Sequence, residues 1–193
     1  LARSNRKNQK MIRDAGGVDL ICKMMDAHGA SYPGVAEKGC GALWNLAHGS
    51  GDIQKKIGDA GDIAIILKMM STQGASNASV AWRGCGALRC LANNSTNKKI
   101  IGDTGGIALV CRIMGRHCLS RACIGEEVCA LLWHLAHCNE NNARLVGESK
   151  GIALIIKTID KHGARNAGIV EYGYAALRDL TANDENTRNI ATT

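Results

Sequence analysis

Between His117 and Cys138 the chain gathers the side chains from which metal sites and nucleophilic dyads are built: His117, Cys118, Cys123, Cys129, His134, His137 and Cys138. Imidazole and thiolate together hold zinc, and a thiol beside an imidazole is a nucleophile with its own base. The spacing argues against the metal site, and a Cys with a His somewhere nearby is too common to mark a nucleophile. Cys123 and Cys138 fall at opposite ends of a helical stretch, about 20 Å apart at 1.5 Å per residue, whereas zinc ligands sit roughly 2.0 to 2.3 Å from the metal. His134, His137 and Cys138 make at most a partial set, and no C-x-x-C knuckle occurs anywhere. The chain also lacks a G-x-S-x-G elbow, a phosphate loop and paired carboxylates, and Gly105-Gly106 precedes a helix without the strand a nucleotide-binding turn needs. The expectation is a chain without catalytic residues, cofactor or metal.

The elements that carry these residues must be helices packed through small side chains. Hydrophobic residues make up 46% of the 193, yet there is no Phe, only three Trp, three Tyr and one Pro. The core therefore falls to Leu, Ile, Val, Ala, Met and Cys. The formal charge of +7 and pI near 9.0 leave nucleic acid or anionic lipid open as partners, although the basic residues (Arg3, Arg6, Lys7, Lys10 and Arg13, then Lys55-Lys56, then Lys98-Lys99) read better as a solvated edge. Nine cysteines, an odd number without a signal peptide, point to reduced thiols in cytoplasm or nucleus. No apolar run is long enough for a membrane span, which needs about 18 residues.

Self-similarity organises the whole sequence. The strings LWNLA, LRCLA, LWHLA and LRDLT begin at Leu43, Leu88, Leu132 and Leu177, at offsets of 45, 44 and 45. AGGVDLI, AGDIAII, TGGIALV and SKGIALI begin at Ala15, Ala60, Thr104 and Ser149 with the same offsets. Columns run through the array, such as Cys40, Cys85, Cys129 and Tyr174 in the core. One array of four repeats is expected, roughly 3–47, 48–92, 93–136 and 137–181, with partial repeats at 1–2 and 182–193.

Each repeat accommodates three helices. In the first repeat these are a short one near residues 7–14 carrying Met11 and Ile12, a largely buried one over 18–27, and the longest over 35–48, with Cys40, Leu43, Leu46 and Ala47 inward. Pro33-Gly34 reads as a turn, and Gly16-Gly17 as a helix end needing positive φ. His28, His117 and His162, recurring beside Gly29, Gly74 and Gly163, read as the close of the second helix. Paired glycines inside the third helix (Gly39 and Gly41, Gly84 and Gly86) cost roughly 2 kcal/mol relative to Ala, so close packing must offset them.

These features resemble the armadillo repeat: a unit of 42 to 45 residues, a Gly-Gly entry to the second helix, and G-C-x-A-L-x-N-L-A closing the third. The segments GCGALWNLA and GCGALRCLA resemble most the arrays of protist proteins and of leucine-rich-repeat kinases. The HEAT repeat is the runner-up, without the short first helix. The resemblance implies an all-α, right-handed α-solenoid, a superhelix of stacked three-helix repeats. It also implies a non-catalytic scaffold whose third helices line a groove for an extended protein or peptide segment. Four repeats would give a groove on the order of 40 Å, enough for about 12 extended residues.

The groove columns follow from the face opposite the core. They are Glu37, Trp82, Glu126 and Glu171; then Trp44, Arg89, Trp133 and Arg178; beside them Asn45, His134 and Asp179; and finally His48, Asn93 and His137. Trp and Arg are residue types enriched at binding hot spots. The alternative for Trp44 and Trp133 is that they fill the gap between neighbouring third helices. Import adaptors of the armadillo family read basic peptides with a Trp and Asn ladder. Here only Asn45 is kept and Gly41, Gly86, Ala130 and Ala175 hold the Trp column, so Glu37, Glu126 and Glu171 would have to receive such a peptide alone. A docking region inside a larger protein, such as a kinase, is the further alternative.

Overall fold

Glycine at the close of three of the four short first helices, and asparagine caps at the start of two of the long third helices, break the chain into a regular series of segments. The computed structural model describes residues 5–181; Arg3 and the expected partial repeats at 1–2 and 182–193 lie outside the described residues. Among these residues every regular element is helical. In chain order they are α1 (Arg6–Asp14), α2 (Gly17–His28), α3 (Pro33–Ala47), α4 (Gly51–Asp59), α5 (Ile63–Thr72), α6 (Ala78–Leu91), α7 (Ser95–Asp103), α8 (Gly106–His117), α9 (Ala122–Ala136), α10 (Glu140–Glu148), α11 (Gly151–His162) and α12 (Ala167–Leu180). A 3-10 turn, Gly163–Arg165, precedes α12. Short, medium and long helices thus follow one another in four triplets.

Gly16, Gly61 and Gly105 each adopt φ near 75°, the left-handed conformation that lets the chain leave a first helix and turn straight into a second. In the fourth triplet Lys150 stands in that position with φ 60°. Asn5, Asn77, Asn139 and Asn166 cap α1, α6, α10 and α12 by accepting backbone N–H bonds through their side-chain oxygens. Pro33 and Gly34 do not form the expected turn. They open α3, with Pro33 in the first helical turn, where the missing N–H has no partner to lose.

The described chain divides into two compact units that meet in sequence between Ile100 and Ile101, inside α7. In the first unit α3 packs along α6 while α2 packs on α3 and α5 on α6; in the second, α9 packs along α12, with α8 on α9 and α11 on α12. The core of each is aliphatic. Cys40, Ile53, Ile57, Ile66, Met70 and Leu88 are fully buried in the first unit, as are Val110, Cys129, Leu131, Leu132, Ile155 and Leu180 in the second. Third-helix glycines create the close approach: a β-carbon on Gly39 would lie 2.4 Å from the Met25 side chain, and one on Gly84 2.5 Å from Met70.

Three residues expected inside are outside. Met11 is 60% exposed, Leu20 59% and Tyr174 60%. Period alone treats every triplet as internal, whereas Leu20 belongs to the first described triplet and Tyr174 to the fourth, each on a face that no other described triplet covers.

Polar groups tie helices together within and between the triplets of each unit. The Gln9 amide donates to the carbonyls of Asn45 and His48 at 2.9 Å, Gln54 to Ala47 at 2.9 Å, and Asn142 to Leu135 at 3.0 Å, so buried amides serve the carbonyls at the ends of third helices. Asn97 instead donates to the Gln54 carbonyl at 2.8 Å and seats its oxygen over Gly58. At the ends of second helices His162 Nε2 donates to the Cys118 carbonyl at 2.8 Å, and Gln73, which holds the same place in its triplet, bonds the Ala30 carbonyl. The recurring histidine position is a hydrogen-bonding clamp between adjacent second helices. The basic edge is matched by acids: Arg13 with Asp14 and Asp52, Lys55 with Asp59, Lys56 with Asp19, and Lys68 with Asp26.

Candidate functional site

The third helices carry all the residues singled out for binding or lie just before them, and those residues fall into two separate sets, one per unit. In the first unit Trp44 is only 5% exposed. Its ring lies against Gly86 of α6 and meets Trp82 edge-on, with centroids 5.4 Å apart and an interplanar angle of 86°. Trp44 is therefore packing between α3 and α6 and not an open groove residue. The reason is Gly86: where the next third helix has no side chain, the indole fills the space. Trp82 is half-buried, with the Arg83 guanidinium 5.0 Å over its ring, a cation–π geometry. Arg83 also lies over Gly41 and comes within 3.9 Å of Glu37, which is already paired with Lys38 at 2.9 Å. Asn45, His48 and Arg89 are partly exposed and Asn93 is open to solvent.

In the second unit the same columns build a connected network. Trp133 Nε1 donates to Asp179 Oδ2 at 3.1 Å, and His137 Nδ1 lies 2.7 Å from that same oxygen. Arg178 holds the other carboxylate oxygen, with its Nη2 at 2.7 Å. Trp133 is stacked on Tyr172, with centroids 6.0 Å apart and planes 29° from parallel, and His134 packs beside it at 4.8 Å. Burial works against ionisation of Asp179, but the hydrogen bonds from His137 and Arg178 outweigh it and hold its carboxyl below the usual aspartate range. Asp179 is thus an internal organiser of the network. His137, Arg178 and Glu171 remain exposed. A cleft of about 630 Å³ lies alongside, lined by His137, Cys138, Asn139, Glu140 and Asp179 together with Ala136 and Ala143.

Glu126 is turned to a structural task. Its Oε2 accepts a hydrogen bond from the Asn166 side chain at 3.1 Å, and it fills the space above Gly168 at the start of α12. Of the three carboxylates that would receive a basic peptide, Glu37 and Glu126 already have polar partners, and Glu171 is the exposed one.

Sequence columns did not single out Tyr172 and Arg83, the residues that complete each set. For Arg83 a signal was present in the glycines. Gly41 and Gly86 stand one helical turn from the tryptophan positions, and such a gap in one helix marks where a large side chain of its neighbour sits.

The cysteines do not assemble a centre. All nine are free; Cys123 and Cys138 are exposed and the other seven buried. Burial pushes the Cys40, Cys111 and Cys129 thiols up to about 12. Among the described residues no group of three or more His, Cys, Asp or Glu side chains lies close enough to share a metal ion. No helix among them is long and apolar enough to cross a membrane.

No protein-family model matches the chain, and no curated protein matches it. Solved structures do. A designed armadillo repeat protein, YIII(Dq)4CqI, superposes with a TM-score of 0.83 at 15% identity, covering 99% of this chain and 76% of that one. A second designed armadillo repeat protein, solved in complex with the peptide (KR)4, gives a TM-score of 0.77 at 14% identity over 92% of this chain and 70% of its own. An engineered protein, structural-genomics target OR329, gives 0.79 at 20% identity over 94% and 69%. The likeness establishes the fold, all-α and built of three-helix armadillo-type repeats.

Proposed function

We propose that this chain is a non-catalytic protein-interaction scaffold that holds an extended partner segment against the C-terminal ends of its third helices. One observation carries the reading. Asp179 fixes Trp133, His137 and Arg178 in one orientation beside an open cleft, so aromatic, cationic and hydrogen-bonding groups are ordered before any partner arrives. Arg and aromatic side chains at a concave polar rim are the kind of surface on which binding energy concentrates. In the first unit, Asn45, His48, Arg89 and Asn93 occupy equivalent positions and offer comparable polar groups within that unit.

The designed neighbour bound to (KR)4 supports peptide binding as a use of this fold. The charge of this chain favours a different ligand. With +7 overall and Glu37 and Glu126 already paired, an acidic or neutral segment suits the Arg178 and His137 edge better than a basic one. Nine free thiols fit a reducing compartment, cytoplasm or nucleus, and the same face would serve a docking region within a larger protein.

A display library of random extended peptides, selected on the intact chain, tests this reading. Enriched peptides are expected to lose roughly tenfold or more in affinity for Arg178→Ala and His137→Ala. Absence of any enriched peptide, or wild-type affinity retained by both variants, would overturn the assignment.

A further inference from the structure

The solvent face of the second helices differs between the two units in a way that the repeat does not require. In the first unit it carries Lys23 and Lys68, and Lys68 is paired with Asp26 at 2.7 Å. In the second unit Arg112 and Lys157 hold the two lysine columns, but Gly115 stands in the Asp26 column, so that acid is gone. One turn on, Ala27 and Thr72 give way to Arg116 and Lys161, and in the turns that follow Tyr32 and Ser76 give way to Arg121 and Arg165. All six cations are exposed, and among the described residues none of them forms an ion pair. Along residues 111–121 and 156–166 Asp160 is the one carboxylate. Arg112, Arg116 and Arg121 stay exposed although α11 and α12 already pack on α8 and α9, so the charge lies along the side of the helix layer and not across an end.

The turn after α8 and the turn after α11 lie against each other, joined by the hydrogen bond from His162 Nε2 to the Cys118 carbonyl at 2.8 Å. Beside that clamp opens a cleft of about 620 Å³, lined by Lys161, His162, Arg165 and Asn166 with Ala122 and Ala164. In the first of these turns, between Arg116 and Arg121, Leu119 is 42% exposed. Its column holds Ala30, Ala75 and Ala164 in the other triplets, so the turn itself needs no large apolar side chain. Neither α8 nor α11 carries a Phe, Tyr or Trp on which a nucleic-acid base could stack. Cations around an exposed leucine suit an anionic bilayer better, where phosphate headgroups overlie an apolar interior.

We propose that this edge of the second unit docks on the surface of an anionic lipid bilayer. Leu119 enters the boundary between headgroups and acyl chains, while Arg116, Arg121, Lys161 and Arg165 hold lipid phosphates and Arg112 and Lys157 add attraction from one helical turn away. One inserted leucine and a set of surface charges give a peripheral contact, reversible and sensitive to salt. The proposed peptide site is separate from it, at the opposite end of α12, whose 14 residues span about 20 Å. A partner segment and a bilayer can therefore be held at once.

Co-sedimentation of the intact chain with vesicles tests this, using phosphatidylcholine alone and phosphatidylcholine with about 30 mol% phosphatidylserine. Binding is expected to the mixed vesicles only, and to weaken several-fold between roughly 0.05 and 0.2 M salt. Arg116→Gln with Lys161→Gln should lower vesicle affinity about tenfold or more, each cation being worth roughly fivefold, whereas Lys23→Gln with Lys68→Gln in the first unit should cost less. Leu119→Ala restores the residue of the other triplets and should weaken vesicle binding about fivefold. Every altered residue is exposed, so each variant should fold, as helical circular dichroism will confirm. The proposal is overturned by equal binding to neutral and mixed vesicles, or by equal losses from the two lysine and arginine pairs. It is also overturned if Leu119→Ala binds as the wild type does, which would leave a site for polyanions such as nucleic acid and not for a bilayer.

Discussion

The indole of Trp44 sits so close to the α-carbon of Gly86 that a β-carbon there would stand 2.5 Å from the ring atom Cδ2. One tryptophan and one missing side chain set the spacing of α3 and α6. Gly86→Ala must push the indole aside or part the helices, at a cost of about 1–3 kcal/mol. Gly34→Ala, in the first turn of the neighbouring α3 with nothing near its absent β-carbon, is expected to gain about 0.4–1 kcal/mol through a stiffer unfolded chain. Urea unfolding of both variants separates the two uses of glycine; a Gly86→Ala chain as stable as wild type would show the contact to be slack.

Lys150 takes the left-handed conformation that Gly16, Gly61 and Gly105 hold in the other triplets. A side chain there costs about 1–2 kcal/mol, part of which glycine's larger unfolded-state entropy offsets. Lys150→Gly is therefore expected to raise stability by about 0.5–1 kcal/mol, and Gly105→Ala to lower it by a similar amount. Thermal unfolding followed by circular dichroism reads both, and a Lys150→Gly chain that melts earlier would place the Lys side chain in a contact worth more than the strain.

The period of about 45 residues exposed the fold because both ends of the second helix and the close of the third obey it, so identical strings had to mean identical elements. The histidine column at residues 28, 117 and 162 was legible as a helix end for the same reason, although its clamp to the neighbouring carbonyl was not. The exposure of Leu20 and Tyr174 was invisible to the period, which assigns both to the interior. The candidate site was half legible. Residue type and column brought Trp133, His137, Arg178 and Asp179 together, but a column records which helix face a residue occupies, not whether the adjacent helix already lies on it. Trp44 and Trp133 share a column and differ in exposure: Trp44 lies against Gly86, whereas the fourth triplet has Ala175 in the Gly86 column and Trp133 stacks on Tyr172.

Asn97 and Gly58 form a second tight pair. A β-carbon on Gly58 would lie 1.8 Å from Asn97 Oδ1, while the Asn97 amide nitrogen donates to the Gln54 carbonyl. Asn97→Ala removes a buried hydrogen bond and should cost about 1–3 kcal/mol, as should Gly58→Ala by displacing the same amide. The double variant has no amide left to displace, so its cost should fall short of the sum by at least about 0.5 kcal/mol. Strict additivity in this cycle would mean the two residues act independently.

Nine free thiols with two at the surface predict biphasic modification. A disulfide exchange reagent at pH 8 is expected to titrate Cys123 and Cys138 quickly and the other seven only when the chain opens, because burial denies access and raises the Cys40 and Cys129 thiols to about 12. Cys123→Ser with Cys138→Ser should abolish the fast phase. Fast uptake of more than two equivalents in the native chain contradicts the packing described.

Asp179 makes stability depend on pH with a defined sign. Its folded value is depressed below the ordinary aspartate range, so the unfolded chain binds the proton more readily than the folded one. The stabilisation is therefore complete above the unfolded carboxylate value, about 4, and is lost as the pH falls through the lower folded value. Asp179→Asn keeps the shape but removes the anion that Trp133, His137 and Arg178 share, at an expected cost of about 1–2 kcal/mol near pH 6 for a partly solvated site. Comparing the unfolding free energies of the two chains from pH 7 downward, the gap should narrow below about pH 4, as protonation does to the wild type what the substitution has already done. A gap that stays constant across that range would mean that the shape of the side chain, and not its charge, holds Trp133 and His137 in place.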